Sequence, residues 1–255
     1  MMKQDLSGRE LDGEVAIVTG AGLNTGSLIA KTLASAGAAV VVNYRSSADG
    51  ALATVRAIEA AGGSAIACQA DVTRQDEVKR LVATTVDKLG PPTILVNNAN
   101  VRSFRALMDI TLEEWRQTLA PTLDGTFFCV QACVPHMRKL KHGTIINIGG
   151  GSGHSGRPNR CHVAAAKAGL AGMTGSLAVE LAPDNITVNC VVPGRVNTPR
   201  PNEDALNVKK HKAPMGRDCD QQELANLIRF LSGPGCRYMT GNMMHVNGGE
   251  YVTIA

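Results

Sequence analysis

Residues 14–28 read EVAIVTGAGLNTGSL, and the fold follows from how this stretch divides. Glu14 to Thr19 is a short apolar run rich in β-branched residues, the mark of a buried strand. Gly20, Gly22 and Gly26 then make a turn that opens a helix running to about Ala36. Glycines at a strand end let backbone approach a pyrophosphate, and the N-terminus of the next helix adds partial positive charge. Such a unit predicts a nucleotide-binding α/β protein if the rest of the chain keeps the same alternation.

The alternation continues to the end of the chain. Apolar runs recur at Ala39 to Asn43, Ser64 to Gln69, Thr93 to Asn97, Thr144 to Ile148, Ile186 to Val192 and Met243 to Val246. Between them lie stretches of helical period: Ala51 to Ala61, Gln75 to Leu89, Thr111 to Arg138, His162 to Ala182 and Gln221 to Ser232. Strands alternating with helices imply βαβ crossovers, hence a doubly wound Rossmann fold with a mostly parallel seven-stranded sheet covered by helices on both faces. The 255 residues, 44% of them apolar, suffice for a single domain over 1–255. Residues 1–13 read as an irregular lead-in, and about 199–216 as a lid-like or ordinary surface loop. Pro121 is expected to kink the long helix that contains it.

Composition narrows the function. A net charge of +4, spread over scattered Lys and Arg, is a poor nucleic-acid footprint, and Lys209, Lys210 and Lys212 read as a solvated loop. Seven Cys without a C-x-x-C pair make neither a disulfide framework nor a zinc site. No apolar run of about 18 residues and no signal segment appear, so a cytoplasmic protein without a membrane partner is expected.

Further motifs follow the strands in order: Asp71-Val72, Asn97-Asn98-Ala99, Pro193-Gly194 with Thr198, and Tyr238-x-Thr240-Gly241. With the first turn, this series resembles the short-chain dehydrogenase/reductase family over nearly the whole chain. The resemblance implies a dinucleotide held by Gly20, Gly22, Gly26, Asp71, Val72, Asn98 and Thr198. Two glycines of the family pattern are replaced, by Asn24 in the turn and by Asn100 after Asn-Asn-Ala, and a Cβ at either place is expected to crowd the cofactor. Asn tolerates the left-handed region better than most residues. Tyr44 stands where NAD-preferring members carry an acid, and Arg45 with Ser46 favours NADP over NAD; otherwise Arg45 is a solvated loop residue.

Carbonyl reduction by hydride leaves an alkoxide that needs a proton. The resemblance implies a Tyr in the pattern Tyr-x-x-x-Lys, with its pKa of about 10 lowered by the Lys, a Ser on the substrate oxygen, and an Asn steadying a water. Family spacing from Lys167 puts Val163 at the Tyr position and Gly150 at the Ser position, while aligning Trp115 to Phe127 puts Thr122 at the Asn position. Lys167 alone is retained, either for catalysis or as a hydrogen-bond partner of backbone carbonyls. His162 should point away from its neighbour's face, since one helical step turns a side chain by about 100°. His154, Ser152 and Ser155 on a Gly-rich loop are candidates for a rebuilt site, and Arg157 and Arg160 make that loop basic enough to grip an anion. The alternative for each is a solvated loop residue.

The resemblance also implies association through the helices at 111–138 and 162–182. Ala164, Ala168, Ala171, Gly172 and Gly175 offer a small-residue face, with Phe127, Phe128 and Val130 as bulk opposite. The expectation is a non-catalytic subunit in a heterotetramer with an active homologue, an NAD(P)-dependent hydroxyacyl-CoA or alcohol dehydrogenase such as serve aromatic-acid β-oxidation. A self-sufficient dehydratase, lyase or reductase with a rebuilt site, and a dinucleotide sensor, are the alternatives.

Overall fold

The computed structural model describes residues 8–198 and 213–252. Strands β1 (Val15–Val18), β2 (Ala39–Tyr44), β3 (Ser64–Gln69), β4 (Ile94–Asn97), β5 (Gly143–Ile148), β6 (Ile186–Pro193) and β7 (Met243–Val246) form one sheet. Every neighbouring pair is parallel, in the order β3-β2-β1-β4-β5-β6-β7. Helices α1 (Asn24–Ser35), α2 (Ala48–Ala60) and α8 (Gln221–Ser232) cover one face, where Ile29, Leu33, Ile58 and Ile228 pack on Ala16, Val18 and Val40. The other face carries α3 (Gln75–Lys88), α5 (Asp124–Leu140) and α7 (Cys161–Leu181), whose Leu81, Val134, Met137 and Leu181 pack on Ile17, Val41 and Ile145. Successive residues of β1 thus serve opposite cores, which explains why the central strands are continuously apolar.

Several expectations are refined. The helix expected over 111–138 is two helices, α4 (Leu112–Thr122) and α5, parted at Leu123, because Pro121 has no N–H to give the carbonyl one turn back. The Gly-rich loop holds a one-turn helix, α6 (Ser152–Ser155). In the lead-in, Leu11 is buried in the core and its N–H donates to the Ala36 carbonyl at 2.8 Å. Apart from 213–216, the loop expected over 199–216 lies outside the described residues. No described helix is long and apolar enough to cross a membrane.

Chain direction reverses between β1 and β4, so a crevice opens at their carboxyl ends. Buried Asn43 shapes it from β2: its Oδ1 accepts the Gly20 N–H at 3.2 Å, and its Nδ2 donates to the carbonyls of Cys68 and Ala70 at 3.3 and 3.1 Å. Replacing Asn43 by Ala strands these groups where no side chain replaces the partner. A loss of about 2–3 kcal/mol in unfolding free energy is expected from urea denaturation, and a loss below about 0.5 kcal/mol would contradict this role.

Candidate functional site

The crevice is a cleft of about 760 Å³. Gly20, Asn24 and Gly26 line it at the β1 turn, Tyr44, Arg45 and Ser46 beyond β2, and Gly150, Lys167 and Gly194 beyond β5 and β6. The turn is closed by side chains of its neighbours. Asn98 Nδ2 donates to the carbonyls of Thr19 and Gly20 at 2.9 and 3.1 Å, and the Thr19 hydroxyl accepts the N–H groups of Asn98 and Ala99 at 2.9 and 3.0 Å.

Within this closure the glycines are required. Gly20 has φ +60°, and a Cβ there would lie 3.0 Å from the Ala99 Cα. A Cβ at Gly26 would collide with the Gly20 carbonyl and the Asn98 amide, and one at Gly22 with the Ser47 hydroxyl. The cradle is therefore backbone-walled at the N-terminus of α1, which fits a dinucleotide pyrophosphate. Asn24 sits at φ 49°, in the left-handed region, and is exposed. Asn100 folds its amide back onto the Asn98 carbonyl at 2.7 Å. Both line the cleft without closing it, so the crowding expected of them does not arise in the fold itself.

Beyond β2, the Arg45 guanidinium lies 3.8 Å from the Asp71 carboxylate and its side chain is 63% exposed. Asp71 is oriented by Thr73, whose N–H and hydroxyl donate to it at 2.9 and 2.8 Å. Val72 is buried and lines the cleft, and it limits Gly125 of α5 to a hydrogen side chain. Thr198 is buried, with its hydroxyl unpartnered among the described residues.

At the β5–β6 end, Lys167 is buried on α7 and its Nζ donates to the Ile148 carbonyl at 2.7 Å. Burial lowers its pKa to about 8, the guanidiniums of Arg102 and Arg160 push the same way, and Cys190 opposes them. Gly150 and Val163 both face the cleft, as family spacing requires. A Cβ at Gly150 would meet nothing nearer than the Lys167 methylenes at 3.6 Å, so the place of a side chain is preserved without one. Thr122 is buried at the end of α4 and does not line the cleft.

The histidines go elsewhere. His162 is buried and turned from the cleft, as the helical step requires, but its Nε2 is 2.6 Å from the Ser103 hydroxyl, which does line it. Burial, aided by Arg160, lowers the His162 pKa, with Glu114 opposing, so the ring is neutral at pH 7. His154 does not fold over the cleft. It packs against the rings of His245 and Tyr251 at 5.0 and 5.6 Å, because α6 directs it toward the C-terminal segment. Ser152 lines the cleft and Ser155 instead donates to the Gly151 carbonyl at 3.1 Å. Arg157 is held at 2.8 Å by Glu250, and the Arg160 guanidinium lies 4.2 Å over the Phe104 ring. Asn43, Arg102, Ser103 and Arg195 also belong to the site; Arg102 and Ser103 follow the Asn-Asn-Ala motif closely enough for that proximity to have been a signal. No group of three or more His, Cys, Asp or Glu among the described residues can hold a metal ion.

Comparison with known proteins agrees with this geometry. A family model described as enoyl-(acyl carrier protein) reductase matches residues 20–250. The chain is 41% identical to a 3-oxoacyl-[acyl-carrier-protein] reductase of Synechocystis over 94% of its own length and 97% of that protein. Among solved structures it is similar to a putative short-chain alcohol dehydrogenase of Sinorhizobium meliloti, with TM-score 0.86, 32% identity, and 94% and 96% of the two chains covered. A gluconate 5-dehydrogenase of Burkholderia cenocepacia, in complex with NADP and tartrate, is similar at TM-score 0.87 and 29% identity, covering 94% and 96%.

Lys167 provides a direct check of the site's electrostatics. In protein carrying 13C-labelled lysine, its side-chain signal should titrate with a midpoint near 8, and a midpoint at the ordinary 10.5 would contradict the burial described.

Proposed function

The chain belongs to the short-chain dehydrogenase/reductase family, and from that premise we propose that it is a dinucleotide-binding, non-catalytic subunit that supports an active homologue. The observation that carries this reading is the pairing of an open cleft with a bare reacting end. Lys167 is flanked there by the Gly150 backbone and the Val163 isopropyl group, and neither can hold a substrate oxygen or give it a proton. Positioned acid–base catalysis is worth about 10² to 10⁴-fold, and this end has lost the family's means of it.

Arg45, with Ser46 and Ser47 beside the Gly22 turn, supports NADP over NAD, since a 2′-phosphate adds charge that the exposed guanidinium can meet. The related gluconate 5-dehydrogenase carries NADP in its complex. A bound reduced dinucleotide would supply hydride, while this chain's own residues would only hold and orient it.

The surface suits a partner of the same fold. On α7, Ala168, Gly169, Gly172 and Val179 are exposed along one uncharged stripe, and a Cβ at Gly172 or Gly175 would meet nothing within 4 Å. On α5, Phe127 is 49% exposed. Phe128 packs partly on the core and Val130 is buried within it, so of the bulky trio Phe127 is the one suited to an interface. Facing helices with small residues approach closely, which supports a heterotetramer built across α5 and α7. The relative's reaction supports an acyl-thioester oxidoreductase as the partner, of the hydroxyacyl-CoA or 3-oxoacyl class.

A second reading is favoured by the Ser103–His162 contact at 2.6 Å, which offers a proton relay into the cleft and would make the chain self-sufficient. One assay separates the two. With acetoacetyl thioester and NADPH, the purified chain is expected to bind NADPH without turnover. The double variant Gly150→Ser, Val163→Tyr should gain at least about 100-fold over background. Turnover by the unaltered chain that disappears in Ser103→Ala and His162→Gln would replace the first reading by the second. Arg45→Ala should weaken NADPH about tenfold or more and leave NADH unchanged, as read by fluorescence titration; equal losses would remove the NADP assignment.

A further inference from the structure

Six cationic side chains line the cleft, Arg45, Arg102, Arg157, Arg160, Lys167 and Arg195, and the carboxylate among its lining residues is Asp71, which sits at the far end beside Arg45. At the reacting end Arg157 is met by Glu250 at 2.8 Å and Arg195 by Asp218 at 2.9 Å. Lys167, Arg102 and Arg160 set the field there. The two guanidiniums act on the lysine from different segments, Arg102 from the loop after β4 and Arg160 from the residue before α7, while Cys190 faces it from β6.

A protonated lysine has three donors, and among the described residues Lys167 uses one, on Ile148. Its neighbours at the position of a reacting group, Gly150 and Val163, contribute no acceptor. The wall beside it has space: a Cβ at Gly150 would stand 3.6 Å from the lysine stem, and one at Gly151 would find only the Pro193 carbonyl, at 3.8 Å. A buried cation without a counter-charge is costly, and the remaining donors are best satisfied by an anion. Carboxylate oxygens match an ammonium donor and a guanidinium fork together.

We propose that this end of the cleft binds the carboxylate of a small organic acid, held by Lys167 with Arg102 and Arg160 around it. The assignment rests on the reading of this end as one that transfers no proton, since a site relieved of that step can retain a ligand it does not convert. Ligand is retained by charge, and the dinucleotide cradle at the β1 turn is left to its own anion.

The test is calorimetric titration of the full chain with succinate, with neutral succinamide and with inorganic phosphate, each with and without NADPH. Succinate is expected to bind, succinamide not, and phosphate at least tenfold more weakly than succinate. Lys167→Met and Arg160→Gln should each weaken succinate at least about tenfold. Arg102→Gln, at an exposed residue, should weaken it severalfold with the fold intact by circular dichroism. Affinity should fall about tenfold between pH 7 and pH 9, because the lysine, with its pKa near 8, loses its charge over that range. Equal binding of succinate and succinamide, phosphate binding as tight as succinate, or succinate binding untouched by all three variants would each overturn the proposal. Thioester turnover by the unaltered chain would overturn the non-catalytic reading instead, and it is recorded separately from these heats.

Discussion

The pinning of the β1 turn to the end of β4 is the constraint on which the cleft depends. Gly20 passes so close to Ala99 that a side chain at Gly20 would crowd it, and the Asn98 amide and Thr19 hydroxyl bind the two segments together. Asn43 ties the same turn to β2 and, through the Cys68 and Ala70 carbonyls, to β3. Three neighbouring strands are thereby held in register at the point where chain direction reverses. The N-terminus of α1 consequently opens on a walled space instead of solvent, and a pyrophosphate can be met by backbone donors alone.

What distinguishes this chain lies at the other end of the same space. Lys167 keeps its place, its burial and its bond to Ile148, yet the positions around it carry a hydrogen and an isopropyl group. A frame that persists around missing chemistry points to a retained structural or binding duty. The buried Asn97–Asn147–Thr174 chain of hydrogen bonds, at 2.9 Å each, keeps β4, β5 and α7 aligned beneath it, so the lysine is presented to the cleft with or without a reaction to serve. Arg102 and Arg160 then give that presentation a sign: the pocket attracts anions.

Most of the fold was legible because its signals are local. Strands β3 and β7 and helix α8 fall where apolar period alone puts them, and the displacements elsewhere are of a few residues at fraying ends. The site divides differently. Residues tied to a motif, such as Gly26, Asp71 and Lys167, are found by spacing, whereas those whose role is made by tertiary contact are not. Asn43 reads as the polar end of an apolar run, and nothing near it in the chain announces the turn it supports. Ser103 gains meaning only because α7 brings His162 against it from 59 residues away. His154 shows the reverse error: a Gly-rich surrounding suggested a loop free to fold over the cleft, and one helical turn instead commits it to His245 and Tyr251.

The proposal that this chain serves a homologous partner is tested most directly by its native composition. Purified gently from its own cell, the complex should give a native mass equal to two copies of this chain with two of a second chain, and the second should carry the Ser, Tyr and Lys set absent here. Homo-oligomers of this chain alone, at full recovery, would contradict the account and move attention to Ser103 and His162 as chemistry in their own right.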